Sequence, residues 1–131
     1  MIFVGHKFIK SEPFYHIEDI DTIISTPPNS TIYLDFDEKN LDIIDYANLN
    51  NIHFALHVKD ITQIVYASAL GAGFIVVQKE LAKTAQNLAN NYLFDAKILV
   101  KIEDNSEIEE LAILGVDGVI FGCGIVKLVN P

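Results

Sequence analysis

Three pairs of residues have the spacing that puts ionisable groups on one side of a β-strand: Asp35 with Asp37, His57 with Lys59, and Lys101 with Glu103. Successive side chains on a strand point to opposite faces, so residues two apart share one. If the three pairs face the same way, carboxylates, an imidazole and two ammonium groups meet above one sheet. Such a cluster perturbs the pKa values of its members and supports proton transfer. Lys101 is the most informative of them. It follows Ile98-Leu99-Val100 and precedes Ile102, which places it inside a strand, where a charge taken out of water needs a partner. Two readings are open: a lysine that acts on a carbonyl as Schiff base or electrophile, or one held in an ion pair with Asp35, Asp37 or Glu103. Asp35, His57, Lys59 and Lys101 are the candidate catalytic residues. The plainer alternative is that polar residues collect at strand ends because the chain re-enters solvent there.

Short apolar runs alternate with segments of helical period, the pattern of βα units. Strands are expected over residues 2–9, 31–36, 53–58, 73–78, 97–102 and 118–121. Between them, residues 81–94 carry an apolar stripe at three- and four-residue spacing. Asp60 is the expected N-cap of a helix over 61–70. Ser106 and Glu109 have capping-box spacing for a helix that stops at Gly115. Ile17, Ile20 and Ile24 suggest a short first helix, and 40–50 is the least well phased. Strands joined through helices are parallel and connected by right-handed crossovers. The expected fold is therefore α/β, a single domain over 1–131 of six parallel βα units. It forms either an incomplete TIM-barrel-like sheet or an open doubly wound one. An eight-unit barrel usually takes at least ~200 residues. In such folds ligands gather at the carboxyl ends of the strands, where the three pairs lie.

The formal net charge is −9, and all nine basic residues are lysine. An acidic surface repels phosphate backbones, so no nucleic-acid partner is expected. Without arginine, any anion site must use lysine or backbone N–H groups. Half of the residues are hydrophobic, but no run approaches the ~20 apolar residues of a membrane span, so no membrane partner is expected. The start lacks the long apolar segment of a signal peptide. The single cysteine, Cys123, offers neither a disulfide framework nor a metal cluster. A cytoplasmic protein with no metal and no cofactor is the expectation. A partial barrel leaves strand edges unpaired, which predicts a homo-oligomer.

The closing segment from Leu111 to Lys127 contains Gly115-Val116-Asp117-Gly118, an apolar strand, and Gly122-Cys123-Gly124. It resembles the last helix and strand of phosphate-binding (β/α)8 barrels, the group that includes the ribulose-phosphate-binding enzymes. The resemblance implies that backbone N–H groups of Gly122, Cys123 and Gly124 hold a phosphate. In place of that family's second glycine-rich loop stands Lys101-Ile102-Glu103-Asp104-Asn105. A fainter likeness links His57-Val58-Lys59-Asp60-Ile61 to the Asp-x-Lys-x-x-Asp segment of the orotidine-phosphate decarboxylase group. Here His57 stands for the first acid, and Asp60 follows the lysine directly. Ile32-Tyr33-Leu34-Asp35-Phe36-Asp37 is similar to the first motif of haloacid-dehalogenase-like phosphatases but lacks its following Gly-Thr. Gly71-Ala72-Gly73 precedes a strand, whereas a dinucleotide-binding loop follows one. The expected function is the binding of a small anionic metabolite, phosphorylated or carboxylated, with lyase or isomerase chemistry. The alternative is a non-catalytic domain that self-associates.

Overall fold

Runs of Val, Ile, Leu and Phe form strands here because branched and aromatic side chains suit a pleated surface buried on both sides. In the computed structural model, which describes residues 1–128, they give eight strands. These are β1 (Ile2–Val4), β2 (Phe14–His16), β3 (Thr31–Asp35), β4 (His53–His57), β5 (Phe74–Val77), β6 (Lys97–Ile102), β7 (Gly118–Phe121) and β8 (Ile125–Lys127). Five helices follow β2 to β6 in turn: α1 (Ile20–Ile23), α2 (Leu41–Leu49), α3 (Ile61–Ala69), α4 (Ala82–Tyr92) and α5 (Ile108–Leu114). None is long and apolar enough to cross a membrane.

The strands form one all-parallel sheet in the order β1-β7-β6-β5-β4-β3-β2-β8. From β2 to β7 each strand lies beside its predecessor, and right-handed crossovers then carry every helix to the same side. A doubly wound sheet needs a reversal of strand order that is absent here, so that alternative is excluded. Alternate strand residues sort accordingly. Ile32, Leu34, Leu56, Ile75, Val77 and Ile98 point outward and pack with helix residues such as Ile44, Ile64, Ala85 and Leu111. Val4, Phe14, Tyr33, Ala55, Val76, Leu99 and Ile120 face inward and pack on one another, joined by Ile2, Phe74 and Ile125. All eight strands thus feed one inner cluster, which a flat sheet could not do. Phe14 and Phe74 lie on strands separated by two others, yet their rings are 5.0 Å apart. The sheet is therefore curled and barrel-like. It is open in that no ladder joins β1 to β8 among the described residues, although Gly124 sits directly against the Val4 backbone.

Several expectations need correction. Among the described residues there are eight strands, not six. The run over 2–9 is cut after Val4 by Gly5, whose φ of +87° turns the chain. β2 and β8 were not anticipated. Asp104, not Ser106, caps the turn before α5, accepting a hydrogen bond from the Ser106 N–H at 3.0 Å. Other expectations hold. The Asp60 carboxylate accepts from the Gln63 N–H at 2.8 Å and caps α3, and Gly115 closes α5 with φ +87°. The Val116-Asp117-Gly118 turn ties the base of the sheet together. The Asp117 carboxylate accepts from the Ile98 N–H at 2.8 Å, its own N–H donates to the buried Gln86 at 2.9 Å, and its carbonyl accepts from Ile2 at 2.8 Å. One turn thereby links β6, α4 and β1.

Candidate functional site

The inner apolar layer fixes what comes next along each strand. Two residues beyond Phe14, Tyr33, Ala55, Val76, Leu99, Ile120 and Ile125 stand His16, Asp35, His57, Gln78, Lys101, Gly122 and Lys127. Alternation aims these positions toward the concave side at the carboxyl ends of the strands. Apart from Gly122, every one carries a polar side chain, which gives the sheet a polar mouth above an apolar floor.

His57 is the centre of that mouth. Asp35 and His57 are register partners on β3 and β4, and His57 Nδ1 lies 3.4 Å from Asp35 Oδ1. On the other side of the ring, Nε2 is 3.3 Å from the Gln78 amide nitrogen. A carboxylate can only accept, so the proton belongs on Nδ1, facing Asp35, and Nε2 then accepts from the Gln78 amide. The arrangement suits a neutral imidazole protonated on Nδ1. Electrostatics agree: burial pushes the His57 pKa below its ordinary value, and the positive charges of Lys101 and Lys59 add to this, against the attraction of Asp35. Burial wins because the His57 side chain is only 14% exposed, whereas that of Asp35 is 56% exposed and its field is weakened by water. Tyr33 lies under the pair, its ring stacked 6.4 Å from that of His57, and the His16 ring meets its edge at 5.7 Å. Burial first, and then the Asp35 charge, raise the Tyr33 pKa well above the usual phenol value, so its hydroxyl stays protonated.

Of the four candidate catalytic residues, Asp35 and His57 are in contact, while Lys59 and Lys101 act on His57 through their charge. Asp37 does not join them; its carboxylate accepts from the Lys39 N–H at 3.0 Å in the turn before α2. Lys101 is half-buried, and among the described residues it has no ion-pair partner within 4.0 Å. The ion pair expected with Asp35, Asp37 or Glu103 is therefore not formed. The loop residues Gly122, Cys123 and Gly124 form a single 3₁₀ turn. Gly124 is glycine for space, since a Cβ there would lie 2.9 Å from the Val4 carbonyl carbon. The Cys123 thiol donates to the Gly5 carbonyl at 3.1 Å. A Cβ on Gly122 would lie 3.6 Å from a Glu103 carboxylate oxygen, so this turn has an acidic neighbour.

Two cavities border the residues that contact His57. One, of about 450 Å³, is lined by His16, Ile17, Glu18, Asp35, Lys39 and Asn40. The other, of about 410 Å³, is lined by Gln78, Lys79, Glu80, Lys101, Ile102, Glu103 and Glu107. Asp35 is a wall of the first and Gln78 a wall of the second, and His57 contacts both residues. A larger cavity, about 620 Å³, lies elsewhere, between the Gly5–Glu12 loop and Cys123. No group of three His, Cys, Asp or Glu side chains among the described residues is placed to hold a metal ion. Gln78, His16 and Tyr33 were not singled out from sequence. Gln78 and His16 follow from counting two positions on from an inward-facing residue, once the inward face is known.

The His57 geometry makes stability depend on pH with a definite sign. The unfolded imidazole takes up a proton near 6.5, and the folded one only at lower pH. The unfolded state therefore binds more protons in between, so stability rises with pH. The contribution of neutral His57 is complete above about 6.5 and is lost as pH falls toward the folded value. Urea midpoints followed downward from neutral pH should fall less steeply in His57→Gln than in the wild type. Parallel curves would mean that His57 has no such linkage.

The sequence matches no protein-family model and no curated protein.

Proposed function

We propose that the concave mouth binds a small carboxylated metabolite and that His57 moves a proton on it, chemistry of the lyase or isomerase type. One observation carries this reading: an imidazole with Asp35 on one side and a side-chain amide on the other nitrogen, near a lysine with no ion pair among the described residues. Asp35 keeps the proton on Nδ1 and stabilises the imidazolium that forms when Nε2 accepts a proton from the ligand. Lys101 meets the ligand carboxylate, or negative charge developing on a carbonyl oxygen. Lys59 adds positive potential at the rim. The carboxylate of Glu103 beside Gly122 favours a carboxylated ligand over a phosphorylated one.

Adding carboxylic, hydroxycarboxylic and amino acids to ¹⁵N-labelled protein tests the reading. The expected result is movement of the His57 ring and Gln78 amide signals, lost in Lys101→Met. Unmoved signals with every acid would refute the proposal.

Exposed apolar residues favour a second reading, self-association without catalysis. Ile24, Leu49, Leu93 and Ile113, each more than 80% exposed, all lie at helix C-terminal ends, opposite the polar mouth. On this reading, light scattering gives a mass above that of one chain, and replacing Leu49 and Leu93 by Asn lowers it.

A further inference from the structure

The cavity on the β5–β6 side of His57 has an uneven charge inventory. Its lining includes two lysines, Lys79 and Lys101, and three carboxylates, Glu80, Glu103 and Glu107. Lys79 is committed to its neighbours, lying 3.0 Å from Glu110 and 3.7 Å from Glu107. Its pKa is raised by Glu110 first and by Glu107 as well. What remains is one cation, Lys101, and two anions, Glu80 and Glu103, none in an ion pair within 4.0 Å among the described residues. Lys101 and Glu103 stand two positions apart at the end of β6, but they do not close on each other. The Glu103 carboxylate instead lies toward Gly122 at the end of β7.

A plain carboxylate entering this space gains Lys101 but meets the repulsion of Glu80 and Glu103. A plain amine gains the acids and meets Lys101. A ligand carrying both charges satisfies each side and adds no net charge to a lining that is already negative. The volume of about 410 Å³ falls in the ~300–1,000 Å³ range of small-molecule sites. Gln78, whose amide lies 3.3 Å from His57 Nε2, forms part of the same wall, so a ligand held here meets the residue that covers the imidazole.

Resting on the reading of the mouth as a carboxylate site, we propose that its ligand is zwitterionic, an α-amino acid or a close analogue. Its carboxylate sits on Lys101, and its ammonium sits on Glu103 with Glu80 nearby.

The experiment titrates the full chain with individual α-amino acids and, in parallel, with their des-amino acids and their decarboxylated amines, by calorimetry or NMR. At least one amino acid is expected to bind about tenfold or more tightly than either truncated analogue, the scale of one charge-assisted hydrogen bond. Glu103→Gln should weaken the amino acid by a similar factor while leaving the des-amino acid unchanged or improved. Lys101→Met should lose both. Circular-dichroism melts of each variant separate loss of binding from loss of fold. Des-amino acids that bind as well as amino acids, or an amino acid indifferent to Glu103→Gln, would overturn the zwitterion while leaving the carboxylate site standing. Binding by no carboxylated compound, amino or otherwise, would overturn both.

Discussion

Gly118→Ala is expected to destabilise the fold by about 3 kcal/mol, at the upper end of what overpacking one methyl group does. Gly118 opens β7 and is the register partner of Ile2 on β1 and of Leu99 on β6. A Cβ there would lie 2.5 Å from the Ile2 carbonyl oxygen, 2.6 Å from the Ile2 Cβ and 2.7 Å from a Leu99 methyl carbon. A leucine methyl can rotate away, but a carbonyl in a ladder cannot. The β1–β7 ladder must therefore part, with the Asp117 turn that anchors Ile2. Against a typical total of ~5–15 kcal/mol for a domain, this is a severe loss. Gly115→Ala is the control: nothing lies within 4 Å of its added methyl, and only its φ of +87° opposes the change, by ~1 kcal/mol. Urea denaturation of the two variants gives the comparison. Equal losses would mean that the β1–β7 contact is looser than described.

His57→Gln has the largest expected effect on chemistry. A glutamine retains hydrogen-bonding capacity at the mouth but cannot carry a proton. With a bound carboxylated ligand in D₂O, the wild type should exchange a ligand C–H for deuterium. The variant should do so about 10²–10⁴ times more slowly, the usual contribution of a general base. Asp35→Asn should also slow exchange, because an amide can donate to Nδ1 and so favour the opposite tautomer. Retained ligand binding in both variants, read from the Gln78 amide signal, separates proton transfer from occupancy. Exchange at the wild-type rate in His57→Gln would remove His57 from the proposed role.

Much of the scaffold was legible because it is locally determined. The strands from β3 to β7 are apolar runs, and helix ends such as Asp60 and Gly115 are set by capping chemistry within a few residues. The placement of Asp35 and His57 at strand ends also follows from sequence, since each sits on a predictable strand, whereas Asp37 turns to the Lys39 N–H. What stayed hidden depends on partners distant in sequence. β2 and β8 are three residues each, too short to show a period, and they extend only because they pair with each other and β2 with β3. Gln78 reads as an ordinary exit from a strand until the curl of the sheet turns that position inward. Lys101 looked like half of an ion pair, and whether a neighbouring acid reaches it depends on side-chain directions that spacing does not fix. The Gly122–Gly124 turn resembled a phosphate loop, while the space requirement at Gly124 and the Glu103 carboxylate at Gly122 appear only in three dimensions.

The tautomer and titration of His57 bear most directly on the central claim, and long-range ¹H–¹⁵N correlation of the imidazole reads both. The expected result is a neutral ring protonated on Nδ1, a midpoint below the ordinary histidine value, and a midpoint that shifts when a carboxylated ligand is added. A ring protonated on Nε2, titrating at the ordinary value and indifferent to every carboxylate, would contradict it.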